Sequence, residues 1–507
     1  MLRRLDASDR RSAPALPKTR PSLPIVEHLR VRLDESERRE LARIAARLRK
    51  DDPLLDATEP FGPGVCPGVG PGPALVLEDH TGIALFDPDG DRAYAYRALL
   101  LAGDGDWVVV PRRRNRDFER YCREVLRLDA VEVVVPRAGA ARRQRSFAAR
   151  CADDGRIMAR LAERARSVGL QILPYMGSGH VWRLAGALAA ACGTSVRVAA
   201  PPPRLTQRVN DKLWFAERVA EVLGRRALPP SLPAFSLSAL TRELAYLARS
   251  HGSVAVKVPD SAGSCGNFVL SAAEIRDSRP RALERHLRRL LRHAGWRGGF
   301  PLLVTAWEQP VLASPSVQLW LPAREQGGPV VEGVFDQLLT GPEAAFAGAV
   351  PSALPMAWQR RLAREGAQLG ALFQELGYFG RCSLDAIILG EPLDGELHWV
   401  ECNGRWGGVS IPMTLANRLV GDWHRRPFVV VDHTGLNGPR RPLAWYLERI
   451  ADELFIPGER EEGAVFLSPG RIEDGTGLQL MVLDRTLPAA RRRAERVVAR
   501  LEGLLAT

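Results

Sequence analysis

Lys257 closes the apolar run Val254-Ala-Val-Lys257. A small-residue loop follows, Val-Pro-Asp-Ser-Ala-Gly263-Ser264-Cys265-Gly266, and then a second apolar run, Asn267-Phe-Val-Leu270. A strand ending in lysine before a glycine loop suits phosphate binding, because backbone N–H groups approach the oxygens while the ammonium offsets their charge. The plain alternative is a hairpin carrying an exposed lysine. A second constellation lies near Ser383-Leu-Asp385-Ala-Ile-Ile-Leu389 and Leu397-His-Trp-Val-Glu401-Cys-Asn403-Gly-Arg405-Trp-Gly-Gly408. Strand alternation puts Glu401 and Asn403 on one face, with Cys402 turned to the core, and a neighbouring strand can bring Asp385 beside them. Two carboxylates and an amide oxygen form a hard-oxygen set suited to Mg²⁺ bound with a nucleotide. A solvated strand end is the alternative, but an apolar strand that turns acidic only at its end argues against it. A third, weaker signal is Asn210-Asp211-Lys212-Leu-Trp214, a lysine opening a helix that Asn210 or Asp211 would cap. Only four of the 71 basic residues are lysine. Two of the four fall in these motifs, where a compact ammonium and a planar guanidinium are not interchangeable.

The elements that must position these residues follow from periodicity. Leu41, Ile44, Ala45 and Leu48 form the apolar stripe of a helix over 33–50, and the Gly/Pro-rich stretch 60–73 reads as a linker. Residues 1–73 are thus an arm, a helix and a linker. From 74 to 205 short apolar strands alternate with helices: Trp107–Val110, Val131–Val135, Leu170–Leu173 and Ser195–Val198 are the strands. This implies a parallel sheet with covered faces, a Rossmann-like α/β domain. Gly177–His180 sits at one of its strand-to-helix turns, which can hold an anion or be an ordinary tight turn. From 206 to 421 the order changes to an α+β body carrying all three motifs. Residues 422–507 read as a small α+β domain ending in a helix over 488–505.

Bulk composition excludes several functions. The net charge of +12 invites a nucleic-acid reading, yet the arginines are scattered beside acids, as in Glu37-Arg38-Arg39-Glu40. Only Arg112–Arg114 and Arg491–Arg493 cluster, and no aromatic-interleaved basic stripe occurs. A polyanionic small molecule suits the charge as well. Seven scattered cysteines with no CxxC pair, and nine histidines without ligand spacing, indicate neither a zinc cage nor a disulfide framework. No long uncharged apolar run suggests a membrane span, and a reducing cytoplasm fits best.

In order and rough separation, the three motifs resemble the ATP-grasp superfamily over about 205–420, and the α/β domain before them resembles its pre-ATP-grasp domain. The segments 311–318, 333–337, 463–467 and 478–482 look more narrowly like the peptide-ligase branch represented by the pheganomycin peptide ligase. The resemblance implies an ATP-dependent carboxylate–amine ligase working through an acylphosphate, with ATP and Mg²⁺ as cofactors. A small-molecule acid and an amine, amino acid or peptide, would be its substrates, in the biosynthesis of a peptide-like molecule. It further implies that Lys212 and Lys257 hold phosphates and that Gly263, Ser264 and Gly266 close over them. Asp385, Glu401 and Asn403 would bind Mg²⁺, and Arg405 would stabilise the transferring phosphoryl group. The hinge that cradles adenine reads Val304-Thr305-Ala306-Trp307-Glu308, without the family's usual acidic pair. Trp307 and Glu308 then become the nucleotide contacts, Glu308 toward the ribose. Neither nucleic acid nor membrane is an expected partner, and a homodimer is allowed. The competing reading is a catalytically silent protein that kept the fold for binding, which need not keep this whole residue set.

Overall fold

The computed structural model describes residues 23–70, 72–85, 94, 96–110, 113–137, 146–263, 265–391 and 395–506. The N-terminal arm through residue 22, Arg112 and Ser264 lie outside the described residues. Six short strands form the first sheet: β1 (Val65–Pro67), β2 (Ala74–Leu77), β3 (Trp107–Val109), β4 (Glu132–Val134), β5 (Gln171–Pro174) and β6 (Val196–Val198). They are parallel in the order β1-β6-β5-β2-β3-β4. Their side chains are largely buried, as expected where helices such as Gly155–Val168 and Gly179–Cys192 cover a parallel sheet. The Gly/Pro-rich stretch expected to be only a linker supplies β1. Its proline ends an edge strand, where a missing N–H costs no ladder bond.

The second sheet is antiparallel, in the order β7-β10-β8-β9, from β7 (Ser231–Ala234), β8 (Ser253–Lys257), β9 (Asn267–Ser271) and β10 (Leu302–Ala306). Helices Leu237–Leu247 and Pro280–His293 pack on it through Leu240, Leu244, Leu283 and Leu287.

The third sheet has nine strands. These are β11 (Val311–Ala313), β12 (Pro315–Leu321), β13 (Val330–Thr340), β14 (Ala345–Pro351), β15 (Gly380–Leu389), β16 (Glu396–Asn403), β17 (Phe428–Thr434), β18 (Gly463–Phe466) and β19 (Gly477–Leu483). β15 pairs with β12, β16 and, at its far end, β11. The tail, expected as a domain of its own, adds β17, β19 and β18 to this sheet through pairing of β14 with β17. Helix Met356–Glu375 covers one face, and helix Glu35–Asp51 packs on it through the expected stripe Leu41, Ile44, Ala45 and Leu48. That first helix starts at a capping box made by Asp34 and Glu37, and Glu37 also accepts from Arg364 and Gln368 of the long helix.

Candidate active site

Pairing of β15 with β16 places Ser383 opposite Asn403 and Asp385 opposite Glu401. The register slips directly afterwards, where Ala386 faces Trp399. Val400 is therefore the extra residue of a bulge, which re-aims the strand end beside the cavity it lines. Cys402 is buried in the core, as alternation requires. Asp385 accepts from Ser316 Oγ at 2.6 Å and from Asn403 Nδ2 at 2.8 Å. Burial first, and then the adjacent Glu401 charge, push the Asp385 carboxyl up to about 7.

Glu401 is tuned the other way. Burial raises its carboxyl, but Lys212, Lys257 and Arg405 together outweigh burial and hold it below the usual range. Lys212 opens helix Lys212–Val222, capped by Asp211 as one of the two expected residues. It is not a surface lysine: only 4% exposed, it reaches Glu401 Oε2, Ser261 O and Ser261 Oγ, each at 3.2 Å. Lys257 ends β8, is likewise buried, and sits 5.7 Å from the Trp307 ring centroid. Burial lowers its ammonium to about 8, against the pull of Glu401.

The loop between β8 and β9 is tied to itself. Val258 N donates to Gly266 O at 2.8 Å and Ser261 Oγ donates to Val258 O at 2.9 Å. Gly263 has a left-handed φ of 62° and faces the cavity. Gly266 does not line it. Its role is close packing, since a Cβ there would lie 2.3 Å from Ser261 Oγ. Arg405 is oriented by Asn210, whose Oδ1 accepts from Arg405 Nη1 and from Gly404 N. Gly404 permits that approach, because a Cβ would meet Val209 Cγ2 at 2.4 Å.

At the hinge, Ala306 N donates to Pro230 O and Trp307 N to Ser253 O, so those two N–H groups are already committed. Glu308 faces the cavity with its Oε2 held by His398 Nδ1 at 2.6 Å. Lys212, Lys257, Gly263, Trp307, Glu308, Asp385, Glu401, Asn403 and Arg405 thus all line one cavity of about 900 Å³. The Gly177–His180 turn is absent from that lining. There Ser178 caps the helix, and Gly177 packs on Pro201 O and Thr206.

The residues fit a divalent ion bound with phosphate. Two carboxylates stand side by side, one of them pushed up to about 7 by burial and by its neighbour's charge, and the Asn403 amide oxygen is left over while its nitrogen serves Asp385. Among the described residues no group of three His, Cys, Asp or Glu side chains gathers, so the ion would depend on the amide and on ligand oxygens.

Sequence reasoning missed Asn210, Ser316 and the walls supplied by other parts of the chain. Ser316 and Gln318 alternate with Val317 and Leu319 on a wholly buried strand, a signal that was available. Tyr94, Arg97, Tyr175, Asp432 and Arg471 also line the cavity, and no local spacing marks them.

Residues 95–190 match the family model of the pre-ATP-grasp domain. No curated protein matches the chain in sequence. Among solved structures the chain is similar to an ADP complex of purK, an N5-carboxyaminoimidazole ribonucleotide synthetase. The identity is 14% and the TM-score 0.51, over 87% of this chain and 99% of that one. It is also similar to biotin carboxylase from Campylobacter jejuni in a beta-gamma-ATP complex, at 12% identity and a TM-score of 0.51, over 80% of this chain and 90% of that one. At such identities the likeness is one of fold. The parallel pre-domain, the four-stranded sheet with its lysine and loop, and the long antiparallel sheet with its acidic strand end agree with it: the chain carries a pre-ATP-grasp domain and has the fold of the ATP-grasp superfamily.

Proposed function

We propose that the protein is an ATP-dependent carboxylate–amine ligase that forms an amide through an acylphosphate. The observation that carries this reading is the convergence of Lys212, Lys257, Asp385, Glu401, Asn403 and Arg405, from a helix, three strands and the turn after the last of them, on one cavity in an ATP-grasp fold. Lys212 and Lys257 would hold the nucleotide phosphates, and Gly263 and its loop would close over them. Trp307 and Glu308 would take the nucleoside end. Asp385, Glu401 and Asn403 would hold Mg²⁺, which supplies charge neutralisation during phosphoryl transfer.

A carboxylate oxygen attacks the γ-phosphorus, ADP leaves, and the acylphosphate carbonyl is then attacked by an amine nitrogen with release of phosphate. Arg405, held by Asn210, faces the negative charge that builds on the transferring group. Lys212 now bridges Glu401 and the loop carbonyl of Ser261, so phosphate arrival would exchange these contacts for charged oxygens. Chemistry of this kind rests on positioning and electrostatics and calls for no dedicated general base. The likeness of 311–318, 333–337, 463–467 and 478–482 to the peptide-ligase branch supports amino-acid or peptide substrates and a peptide-like product. The seven free cysteines, five of them buried in the body or pre-domain cores at 122, 151, 192, 382 and 402, support a cytoplasmic setting. Among the described residues no helix is long and apolar enough to cross a membrane. The reading is tested by supplying ATP, Mg²⁺ and pooled amino acids and short peptides, and weighing products by mass spectrometry. It expects ADP release with a product lighter by one water than its two substrates. ATP turnover without such a product, or AMP formation, would refute it.

A further inference from the structure

The cavity has a second wall that none of the nucleotide or metal candidates occupies. The pre-ATP-grasp domain supplies Tyr94, Arg97 and Tyr175, and the tail supplies Asp432 and Arg471. Tyr175 O accepts from Trp406 N at 3.0 Å, which joins this wall to the segment carrying Arg405.

Two charged side chains of the wall are used on one side only. Arg97, 6% exposed, donates from both Nε and Nη2 to a single oxygen, Glu78 Oε1. Its Nη1 has no hydrogen-bond partner among the described residues. Asp432, 8% exposed, accepts from Tyr94 OH at 3.2 Å and from Gln479 Nε2 at 2.8 Å, both at Oδ2. Its buried Oδ1 accepts no hydrogen bond among the described residues, and Arg471 Nε stands 4.0 Å away. Buried polar atoms are nearly always paired, so an exception beside a cavity asks for a ligand. Tyr94 spans the two groups: the Arg97 guanidinium carbon lies 4.3 Å from its ring centroid, and its hydroxyl meets Asp432.

One donor on a cation that stacks on the face of Tyr94, and one acceptor without a hydrogen bond on the anion at that tyrosine's hydroxyl end, complement a zwitterion. A dicarboxylate would bring an anion against Asp432, and a diamine would bring a cation against Arg97. We propose that this wall binds the amine substrate as a zwitterion, an α-amino acid or short peptide, with its free carboxylate on Arg97 and its ammonium on Asp432. The proposal rests on the ligase reading for the word amine: a carboxylate held by Arg97 is kept from the Asp385–Glu401 pair, so the molecule anchored here is not the one activated.

Equilibrium dialysis of the full-length protein, read by mass spectrometry, tests it. One pool holds the free protein amino acids and a dipeptide library; parallel pools hold their C-terminal amides and their N-acetyl forms; ATP is dialysed separately. The expected result is retention of one or more free zwitterions, with the amide and acetyl forms weaker by about tenfold or more, a loss of one charged contact. Asp432→Asn, which keeps side-chain shape, should lose the zwitterion by a similar factor; Arg97→Lys is a second variant, useful if it folds beside Glu78. Equal retention of amides and acids, or no retention from any pool, overturns the proposal. Failure of the wild type to retain ATP would sink the ligase reading instead, while the comparison of charged and blocked ligands still judges the wall.

Discussion

Lys257→Arg keeps the charge and tests whether the site needs a compact cation. The native ammonium is buried between Trp307 and Glu401, and burial brings it from 10.5 to about 8. That displacement corresponds to a net penalty of roughly 3 kcal/mol on the charged form, burial and the Lys212 charge less the pull of Glu401, which an incoming phosphate would relieve. A charged hydrogen bond to phosphate contributes about 1.5–3 kcal/mol. Losing its geometry should therefore lower kcat/KM for ATP by about 10- to 150-fold. The wider guanidinium adds an overpacking cost of about 1–3 kcal/mol in the same pocket. Steady-state ADP release across ATP concentrations gives the first quantity and thermal unfolding the second. Lys50→Arg, on the exposed face of helix Glu35–Asp51, should change neither and serves as the control. A Lys257→Arg enzyme that turns over within about twofold of wild type would refute the clamp, because that corresponds to well under 1 kcal/mol.

Glu401→Gln removes both a metal ligand and the carboxylate partner of Lys212, so turnover should fall by about a hundredfold or more and need higher Mg²⁺, as a magnesium titration would show. The pH dependence follows from two displaced groups. Asp385 is protonated below about 7, so apparent Mg²⁺ affinity should climb as pH rises through that value; Lys257 sheds its proton above about 8, so KM for ATP should rise there. Titrations from about pH 6 to pH 9 would separate the two limbs. Gly266→Ala drives a Cβ into Ser261, whose O and Oγ hold Lys212; a loss of about 1–3 kcal/mol in stability and a higher KM for ATP are expected from melting and kinetics. Arg381 meets the fully buried Glu332 and stacks between Trp320 and Trp406, so Arg381→Met should cost about 3–5 kcal/mol by chemical denaturation.

The site's acidic half was legible because strand alternation is a local rule. Glu401 and Asn403 share a face from spacing alone, and β15 then delivers Asp385 to register with Glu401. Helices Gly155–Val168 and Gly179–Cys192 on the pre-domain sheet were legible for the same reason, their stripes being continuous in sequence, whereas the short helix Phe147–Asp153 was not. Helix Pro203–Asn210 was missed because its apolar residues, Leu205 and Val209, are too few to show a period, although it carries the Asn210 that orients Arg405. β14 reads Ala-Phe-Ala-Gly-Ala-Val-Pro, small residues without strand character; pairing with β13 and β17 makes it a strand. That pairing also joins the tail to the central sheet, a long-range contact no window contains. The wall of Arg97, Asp432 and Arg471 is assembled from segments more than three hundred residues apart, so only the folded chain reveals it. The hinge was half legible: Glu308 faces the cavity as expected, but its partner His398 lies across on β16.

Oxygen transfer from the acid substrate to phosphate tests the central claim most directly. The protein, ATP and Mg²⁺ are incubated with amino acids and short peptides labelled with ¹⁸O in their carboxylates, and the released phosphate is weighed. An acylphosphate route predicts ADP together with phosphate that has gained one labelled oxygen. Unlabelled phosphate, or AMP with pyrophosphate, would contradict it.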